Sequence, residues 1–249
     1  MNLSLKEKVV VVSGGASGIG EGIVKVLLAE GAIPVIIDLQ SSKQENTDTI
    51  NADLTNPIAC EKAIGTIIEK YGRIDGLVNN AGINDVVNLE HGNYDAFAKS
   101  MHSNLIHYYL LAHHALPYLK TSKGSIVNIS SKTAETGQGS TSAYAAANGG
   151  RNALTREWAV ELLKYGIRVN AVIVAECYTP MYEQWINTQA NPKDKLKAIQ
   201  ANIPLGNRFT TATEIGQTVC FLLSEASSHT TGQLIHVDGG YTHLDRAIQ

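Results

Sequence analysis

The 249-residue sequence has little of what disulfide-rich, zinc-binding or membrane-spanning proteins contain. Its three cysteines, Cys60, Cys177 and Cys220, are odd in number, widely spaced and without a CxxC pair. This scarcity argues against both a disulfide framework and a zinc site, and it fits a reducing cytoplasm. No stretch reaches the roughly 18 apolar residues that a membrane-spanning helix requires.

The sequence also lacks an excess of charge of either sign and an apolar leader. Its formal net charge is -3 at pH 7, so nothing predicts a nucleic-acid-binding surface. Residues 1–8 contain no apolar segment typical of a signal peptide, and we expect the protein to stay where it is made. With 44% hydrophobic residues and no linker or repeat, residues 1–249 are predicted to form one domain.

Short β-branched runs alternate with longer amphipathic stretches along the chain. Six strands can be placed directly, at Val9–Val12, Pro34–Ile37, Leu77–Asn79, Ser125–Ile129, Ile167–Val172 and Leu234–Val237. The alternation predicts an α/β fold, a doubly wound parallel sheet of Rossmann type with seven strands and helices on both faces. Residues 180–204 are more polar and fit no strand, which predicts an excursion over the substrate pocket.

A glycine-rich segment lies between the first predicted strand and a predicted helix. Gly14, Gly18 and Gly20 have the spacing that lets phosphate oxygens approach backbone N–H groups at a helix N-terminus. Such triplets also arise by chance and in ordinary turns, so the strand-loop-helix context carries the prediction. We therefore expect a dinucleotide-binding loop here.

An acidic residue ends the second predicted strand. Asp38 follows Gly20 by eighteen residues, where its carboxylate can accept hydrogen bonds from ribose hydroxyls and repel a 2′-phosphate. Neither Ser17 nor Leu39 supplies the cation that a phosphorylated ribose requires. The sequence therefore favours NAD over NADP.

Further motifs, in order along the chain, resemble those of the short-chain dehydrogenase/reductase family. They are Asp53-Leu54, Asn79-Asn80-Ala81-Gly82, Asn104, and the pair Ser131 and Tyr144, thirteen residues apart. The resemblance covers nearly the whole chain and implies hydride transfer between a sugar or alcohol and NAD. Residues 104–109, 154–160 and 237–246 are similar to bacterial L-fucose dehydrogenase-like members, which oxidise the anomeric carbon of an aldose.

The resemblance also implies roles for individual residues. The implied catalytic positions are Asn104, Ser131, Tyr144 and Asn148. The implied cofactor contacts are Gly14, Ser17, Gly18, Ile19, Gly20, Asp38, Asp53, Leu54, Asn80, Ala81, Gly82, Tyr144, Asn148, Cys177 and Thr179. The implied substrate contacts are Ser131, Gln138, Tyr144, Glu176 and Trp185. A homotetramer is implied as well, and the predicted helices around Asn104 and Tyr144 carry apolar residues on more than one side.

The residue four positions after Tyr144 departs from the family pattern. The family has a lysine there, which stabilises the tyrosine phenolate and binds the nicotinamide ribose, whereas this chain has Asn148. An unperturbed tyrosine has a pKa of about 10 and is protonated near neutrality. The uncharged amide of Asn148 cannot stabilise the phenolate as an ammonium group would, so Tyr144 is expected to be a weak base. We expect a large loss of turnover and a smaller loss of cofactor binding. Arg151 is expected to lie too far from Tyr144 for direct contact unless the helix is distorted, and Lys132 to point elsewhere.

Alternatives stay open at this stage. Asn148 is either an altered residue or a natural variant, and the protein is either a slowed dehydrogenase or an NAD(H)-binding protein with negligible turnover. No metal is expected, because His107, His113 and His114 lack an HExxH motif or a carboxylate cluster. Cys177 has no accompanying base motif and is expected to pack rather than to act as a nucleophile.

Overall fold

The computed structural model describes residues 3–244, and its sheet has the predicted architecture. Positions 1–2 and 245–249 lie outside the described residues, and with them Asp245 and Arg246 of the C-terminal motif. The strands are β1 Val9–Ser13, β2 Ile33–Asp38, β3 Asp48–Asn51, β4 Gly76–Asn79, β5 Ser125–Ser131, β6 Arg168–Val174 and β7 Leu234–Val237. Neighbouring strands pair in parallel in the order β3-β2-β1-β4-β5-β6-β7. The predicted α/β fold is therefore confirmed.

Helices fill the intervals between the strands. They are α1 Gly18–Ala29, α2 Pro57–Tyr71, α3 Tyr94–Met101, α4 His107–Ser122, α5 Ser142–Glu161, α6 Pro180–Asn187, α7 Pro192–Ala201 and α8 Ala212–Leu223. Proline begins α2, α6 and α7, where its missing N–H and fixed φ are compatible with a first helical turn. In the part of the chain from residue 3 to 244, no helix has both the length and the apolar character needed to cross a bilayer.

The structure adds one strand to the six that the sequence located. β3 contains Asp48, Thr49, Ile50 and Asn51, none of which is fully buried. β3 forms the edge of the sheet next to β2, so its residues can be polar. A search for apolar runs therefore does not detect this strand. The predicted excursion of residues 180–204 contains α6 and α7.

Alternate side chains of the sheet contribute to two separate cores. On one face Val9 and Val11 of β1 pack with residues of α2, α4 and α5. On the other face Val10 and Val12 pack with residues of α1 and α8. Because every residue of β1 is buried, this strand is a rigid base for the loop that follows it.

The helices α1 and α8 approach each other at the level of their backbones. A Cβ built on Gly22 of α1 would lie 2.4 Å from the Ala212 Cβ and 2.8 Å from the Ala212 carbonyl oxygen. On α8, a Cβ on Gly216 would lie 3.0 Å from the Gly22 carbonyl oxygen. Glycine at both positions lets the helices touch, and this contact fixes α1 against the sheet.

We predict that Gly22→Ala lowers the free energy of unfolding by about 1–3 kcal/mol, because the added methyl group meets backbone that must move. The matched control is Gly65→Ala in α2, where a Cβ would meet nothing within 4 Å. That control should be neutral or stabilising by up to about 1 kcal/mol, since alanine is the better helix former. Urea denaturation measures both changes, and equal effects at the two positions would contradict the close approach.

Candidate active site

Three adjacent strands end at polar residues on one edge of the sheet. β1 ends at Ser13, β4 at Asn79 and β5 at Ser131, and parallel strands place these ends together. The strand order reverses between β1 and β4, which opens a crevice at this carboxyl edge. Several of the residues implied by the family resemblance lie in the loops that follow these strands: Gly14, Ser17, Asn80, Ala81, Gly82 and Gln138.

The loop between β1 and α1 depends on glycine for its backbone geometry. Gly14 and Gly18 have φ values of 66° and 58°, in the left-handed region that a side chain disfavours. A Cβ on Gly20 would lie 2.0 Å from the Gly14 carbonyl oxygen. Ser17, which precedes α1, makes no side-chain capping hydrogen bond. The first N–H groups of α1 therefore have no side-chain cap and can receive an anion.

Asn80 and Ser13 hold this loop to the loop after β4. The Asn80 Nδ2 group donates to the carbonyl oxygens of Ser13 and Gly14, each at 3.0 Å. In return, the Ser13 Oγ accepts the backbone N–H of Asn80 at 2.9 Å and that of Ala81 at 3.1 Å. The two sides of the crevice are thus joined by four hydrogen bonds.

Two carboxylates lie near the start of the crevice. The Asp38 carboxylate accepts the N–H groups of Ala16 and Gln40, each at 3.0 Å, which fixes it at the edge of the glycine loop. Asp53 accepts the Thr55 hydroxyl at 2.7 Å and the Thr55 N–H at 2.9 Å. The bond from the Thr55 hydroxyl is the main cause that lowers the pKa of Asp53.

A π-helical turn, His102–Ile106, carries Asn104 and interrupts the long helix expected there. Asn104 is fully buried, its Oδ1 accepts the Ile83 N–H at 2.8 Å, and its Nδ2 donates to the Ser100 hydroxyl at 3.3 Å. The wider turn points the Asn104 backbone carbonyl towards α5. Such turns are frequent at functional sites because they redirect backbone groups out of the helical pattern.

The ends of β5 and α5 carry the predicted serine and tyrosine. The Ser131 hydroxyl accepts the Thr133 N–H at 3.2 Å and keeps its own proton for donation. Tyr144 lies in the first turn of α5 and is half-buried. A buried hydrogen bond of 2.9 Å from Asn128 of β5 to the Thr155 hydroxyl fixes α5 against the sheet.

Asn148 lies one turn after Tyr144 and is fully buried. Its Nδ2 donates to the Tyr144 carbonyl oxygen at 2.8 Å, and its Oδ1 accepts Nη1 of Arg151 at 3.0 Å. Arg151 is only 3% exposed. Although Arg151 lies two turns from Tyr144, its side chain reaches the site through Asn148, which the sequence did not predict.

A buried ion pair lies on the other side of Ser131. Lys132 pairs with Glu176, and the two side chains are 10% and 11% exposed. The Lys132 ammonium also lies 4.1 Å from the centre of the Tyr241 ring. Lys132 thus contacts Glu176 and Tyr241, and it fixes the carboxylate of Glu176, a predicted substrate contact.

Aromatic rings cover this ion pair. Tyr182 of α6 packs against Trp185 at 5.2 Å and against Phe209 at 5.3 Å, both edge to face. Burial, with the Glu176 charge second, raises the pKa of Tyr182 far above its ordinary value, so this ring stays neutral. Trp185 is 40% exposed and presents an open aromatic surface.

Thr179 and Cys177 lie in the loop between β6 and α6. The Thr179 hydroxyl accepts the Tyr182 N–H at 3.2 Å and caps α6, and a Cβ on Gly18 would lie 3.5 Å from Thr179. The loop therefore faces the glycine loop across the crevice. Burial raises the pKa of the Cys177 thiol to about 12, which keeps it protonated and agrees with a packing role.

The structure gathers most of the predicted residues but not all. Gln138 is exposed on the loop after Ser131, and no hydrogen bond or ion pair described within residues 3–244 joins it to the other predicted residues. Sequence reasoning gave Arg151 and Lys132 only minor roles. Their burial gives no signal in the sequence, since long cationic side chains are usually at the surface.

The comparisons with known proteins agree with this geometry. Residues 14–242 match the family model described as enoyl-(acyl carrier protein) reductase. The chain is 35% identical to sorbitol-6-phosphate 2-dehydrogenase of Klebsiella pneumoniae, over 96% of this chain and 98% of that protein. It is 33% identical to L-fucose dehydrogenase of Rattus norvegicus, over 94% of this chain and 88% of that protein.

Solved structures of dehydrogenases are also similar to this chain over nearly its whole length. The crystal structure of Cj0485 dehydrogenase has a TM-score of 0.96 and 46% identity, covering 99% of this chain and 98% of that chain. Aldohexose dehydrogenase of Thermoplasma acidophilum, in ligand-free form, has a TM-score of 0.94 and 30% identity, again covering 99% and 98%.

We predict that Asn80→Asp lowers the free energy of unfolding by about 3 kcal/mol, because a carboxylate oxygen replaces an N–H donor that faces two carbonyl oxygens. The control is Asn84→Asp, an exposed position whose side-chain oxygen accepts the Val86 N–H and keeps that role in aspartate. Chemical denaturation at neutral pH measures both variants. A loss at position 80 no larger than at position 84 would show that Asn80 does not hold the two loops together.

Proposed function

Because the chain belongs to the short-chain dehydrogenase/reductase family, we propose that it is an NAD-dependent oxidoreductase acting on a sugar, such as the aldose L-fucose, or on a secondary alcohol. The observation that carries this proposal is Ser131 at the carboxyl end of β5 with Tyr144 in the first turn of α5, together with an uncapped glycine loop after β1 and a buried ion pair of Lys132, the residue after Ser131. The glycine loop, the serine and tyrosine, and the ion pair would each have a separate task in the reaction.

The crevice suits a dinucleotide with an unmodified ribose. Gly14, Gly18 and Gly20 leave room for a pyrophosphate at the start of α1, and Ser17 and Ile19 lie in the same turn. Asp38 would accept hydrogen bonds from the ribose hydroxyls, and its charge opposes a 2′-phosphate. Asp53, Leu54, Asn80, Ala81 and Gly82 would line the adenine and nicotinamide halves, and Cys177 and Thr179 would close over the nicotinamide.

The chain's own residues would manage the proton. When bound, NAD supplies a hydride acceptor. Tyr144 would take the proton of the reacting hydroxyl group, and Ser131 would donate a hydrogen bond to the same substrate oxygen. Asn104 would hold the loop after β4 against the π-helical turn through its hydrogen bond with the Ile83 N–H.

The ion pair and the aromatic rings support a polyhydroxylated substrate. Glu176, fixed by Lys132, offers acceptor oxygens to sugar hydroxyls, and the open face of Trp185 offers a stacking surface. The names of the relatives include a sugar phosphate dehydrogenase and a sugar dehydrogenase, and this agreement favours a sugar over a simple alcohol. The segment 180–204 is proposed to cover the substrate, and Gln138 would contribute only if its loop closes inward.

We further propose a homotetramer in a reducing cytoplasm. Large apolar side chains are exposed on α4 and next to the end of α5, with Tyr109 at 51% and Leu163 at 60% exposure, and burying them between subunits would be favourable. The buried free cysteines Cys60, Cys177 and Cys220 suit a reducing compartment.

A second candidate function is an NAD(H)-binding protein with negligible turnover. Asn148 favours it, because an amide cannot supply the charge of the lysine that the family has at this position. How much turnover is lost depends on whether another cation lies near Tyr144.

We predict NADH formation from NAD and at least one member of an aldose and alcohol panel headed by L-fucose, with NADP a poorer cofactor. Tyr144→Phe should lower kcat by about 100-fold or more, because proton transfer is lost, and should weaken NADH binding far less than it lowers kcat. Tyr118→Phe on α4 is the control and should keep full activity. NADH binding without turnover on any substrate would select the binding-protein alternative, and the absence of both would exclude the two functions together.

A further inference from the structure

Among the described residues 3–244, Arg151 is a buried cation without a carboxylate partner. Its residue exposure is 3%, and none of the ion pairs within residues 3–244 includes it. Its guanidinium carbon lies 4.3 Å from the centre of the Tyr108 ring. Burial of an unpaired charge is costly, so a cation kept in this state is expected to have a task.

The guanidinium is held by four acceptor atoms from three different elements, and one of these atoms is the Asn104 Oδ1, at 3.5 Å from Nη2. Nε donates to the Asn104 carbonyl oxygen at 2.6 Å, and Nη1 donates to the Ile129 carbonyl oxygen at 3.2 Å and to the Asn148 Oδ1 at 3.0 Å. Ile129 precedes Ser131 by two residues on β5. The Arg151 charge is therefore fixed from the π-helical turn, the sheet and α5 at once.

Space for the guanidinium is provided by a glycine. A Cβ on Gly82 would lie 2.8 Å from Nη2 of Arg151 and 2.9 Å from Oδ1 of Asn104. The loop after β4 thus passes directly over the cation, and no larger residue fits there without displacing it.

The Arg151 charge acts on two buried titratable groups, His107 and Tyr108. Burial, with the Arg151 charge contributing, lowers the pKa of His107 to about 4, so the imidazole is neutral at pH 7. Burial raises the pKa of Tyr108 beyond its ordinary range, and its hydroxyl donates to the Ile129 carbonyl oxygen at 3.0 Å. Arg151 and Tyr108 therefore share one acceptor, and Tyr144 is close enough to raise the Tyr108 pKa through its charge.

We propose that Arg151 is the positioning residue that supplies the positive charge for Tyr144, with Asn148 as the link between them. Asn148 donates to the Tyr144 carbonyl oxygen and accepts from Arg151, so one amide fixes both the tyrosine turn and the cation. The charge that a lysine would carry at position 148 is moved one turn along α5. This inference rests on the proposed function.

The arrangement has a consequence for position 148. A lysine there would place an ammonium against the Arg151 guanidinium inside a buried site, and like charges at this distance repel strongly. Asn148→Lys alone is therefore expected to leave kcat/KM unchanged or lower. Asn148→Lys combined with Arg151→Met removes the clash and returns the single charge to position 148, one turn after Tyr144.

The test compares kcat/KM as a function of pH for the wild-type chain, Arg151→Met, Arg151→Lys and the double variant Asn148→Lys/Arg151→Met. Arg151→Met should lose about tenfold or more in kcat near neutrality, with little change in KM, and its activity should rise at a pH about one unit higher or more. Arg151→Lys and the double variant should recover part of the loss. Arg156→Met, an exposed position on α5, is the matched control.

A pH profile of Arg151→Met that superimposes on the wild type, or an Asn148→Lys variant that is faster with Arg151 present, overturns the proposal. A readout without turnover separates it from the proposed function: the ultraviolet phenolate absorbance that Tyr144→Phe removes should appear at higher pH in Arg151→Met. If the wild-type chain oxidises no substrate, the proposed function fails while this titration still decides the role of Arg151. Should Arg151→Met not fold, Arg151→Gln, which removes the charge but keeps a hydrogen-bond donor, supplies the same comparison.

A second, independent observation concerns Glu135, His236 and His243. The Nε2 atoms of both histidines face the same Glu135 oxygen, at 2.9 Å for His236 and 3.7 Å for His243. All three possible ligand atoms lie within 4.8 Å of one another. Tetrahedral zinc with bonds of about 2.0–2.1 Å keeps its ligands about 3.3 Å apart, and the two distances lie on either side of that value.

A carboxylate oxygen approached by two imidazoles has more donors than one hydrogen bond needs. The two histidine rings are 4.3 Å apart, edge to face, and Asn152 donates to the second Glu135 oxygen at 3.4 Å, as outer residues do around metal ligands. We infer that this cluster binds Zn²⁺ or a similar divalent transition metal, with water as the fourth ligand. The expectation of no metal considered other histidines, because Glu135 and His236 are 101 positions apart.

Titration of the metal-free protein with Zn²⁺, followed by calorimetry, should give one equivalent bound. His236→Ala and His243→Ala should each weaken binding by about tenfold or more, whereas His229→Ala, an exposed histidine elsewhere, should have no effect. Binding that is absent, or that survives both substitutions unchanged, overturns the metal site and leaves a simple histidine–carboxylate hydrogen bond.

Discussion

The reciprocal hydrogen bonding between Ser13 and Asn80 is the constraint on which the crevice depends. A parallel sheet brings the ends of β1 and β4 side by side, but it does not fix the loops that leave them. The Asn80 amide binds the carbonyl oxygens of the glycine loop, and the Ser13 hydroxyl binds the N–H groups of the loop after β4. Each loop thereby satisfies the buried polar groups of the other, and neither can shift alone without leaving a group unpaired.

The same principle extends to the reacting centre. Asn79 donates to Asn128, and Asn128 donates to Thr155, so polar side chains connect β4 and β5 to α5 within the protein interior. Arg151 adds the connection from α5 to the π-helical turn. The site is consequently built on buried hydrogen bonds between rigid elements, whereas α6 and α7 are formed largely from exposed and partly exposed residues.

The sequence predicted the fold well because its strongest signals are local. Apolar runs buried on both faces locate the central strands, and glycine, aspartate and the serine–tyrosine interval lie at fixed positions along the chain. β3 was not predicted because it is a polar edge strand. The π-helical turn was not predicted because its residues continue the pattern of a helix. Its Asn104 makes contacts with Ile83 and Ser100 that the sequence pattern does not show. Arg151 and the Glu135 cluster depend on tertiary contacts that no spacing encodes.

The hydrogen bond between Asn148 and Arg151 also bears on how such a site could change over successive substitutions. A chain with lysine at 148 and arginine at 151 would bury two cations together, and a chain with neither would bury none. Exchanging one one-cation arrangement for the other takes two substitutions. The intermediate, with two cations or with none, is therefore expected to be less active than either end state. The two positions form an epistatic pair. Whether a cation at either position raises or lowers the activity depends on which residue occupies the other position.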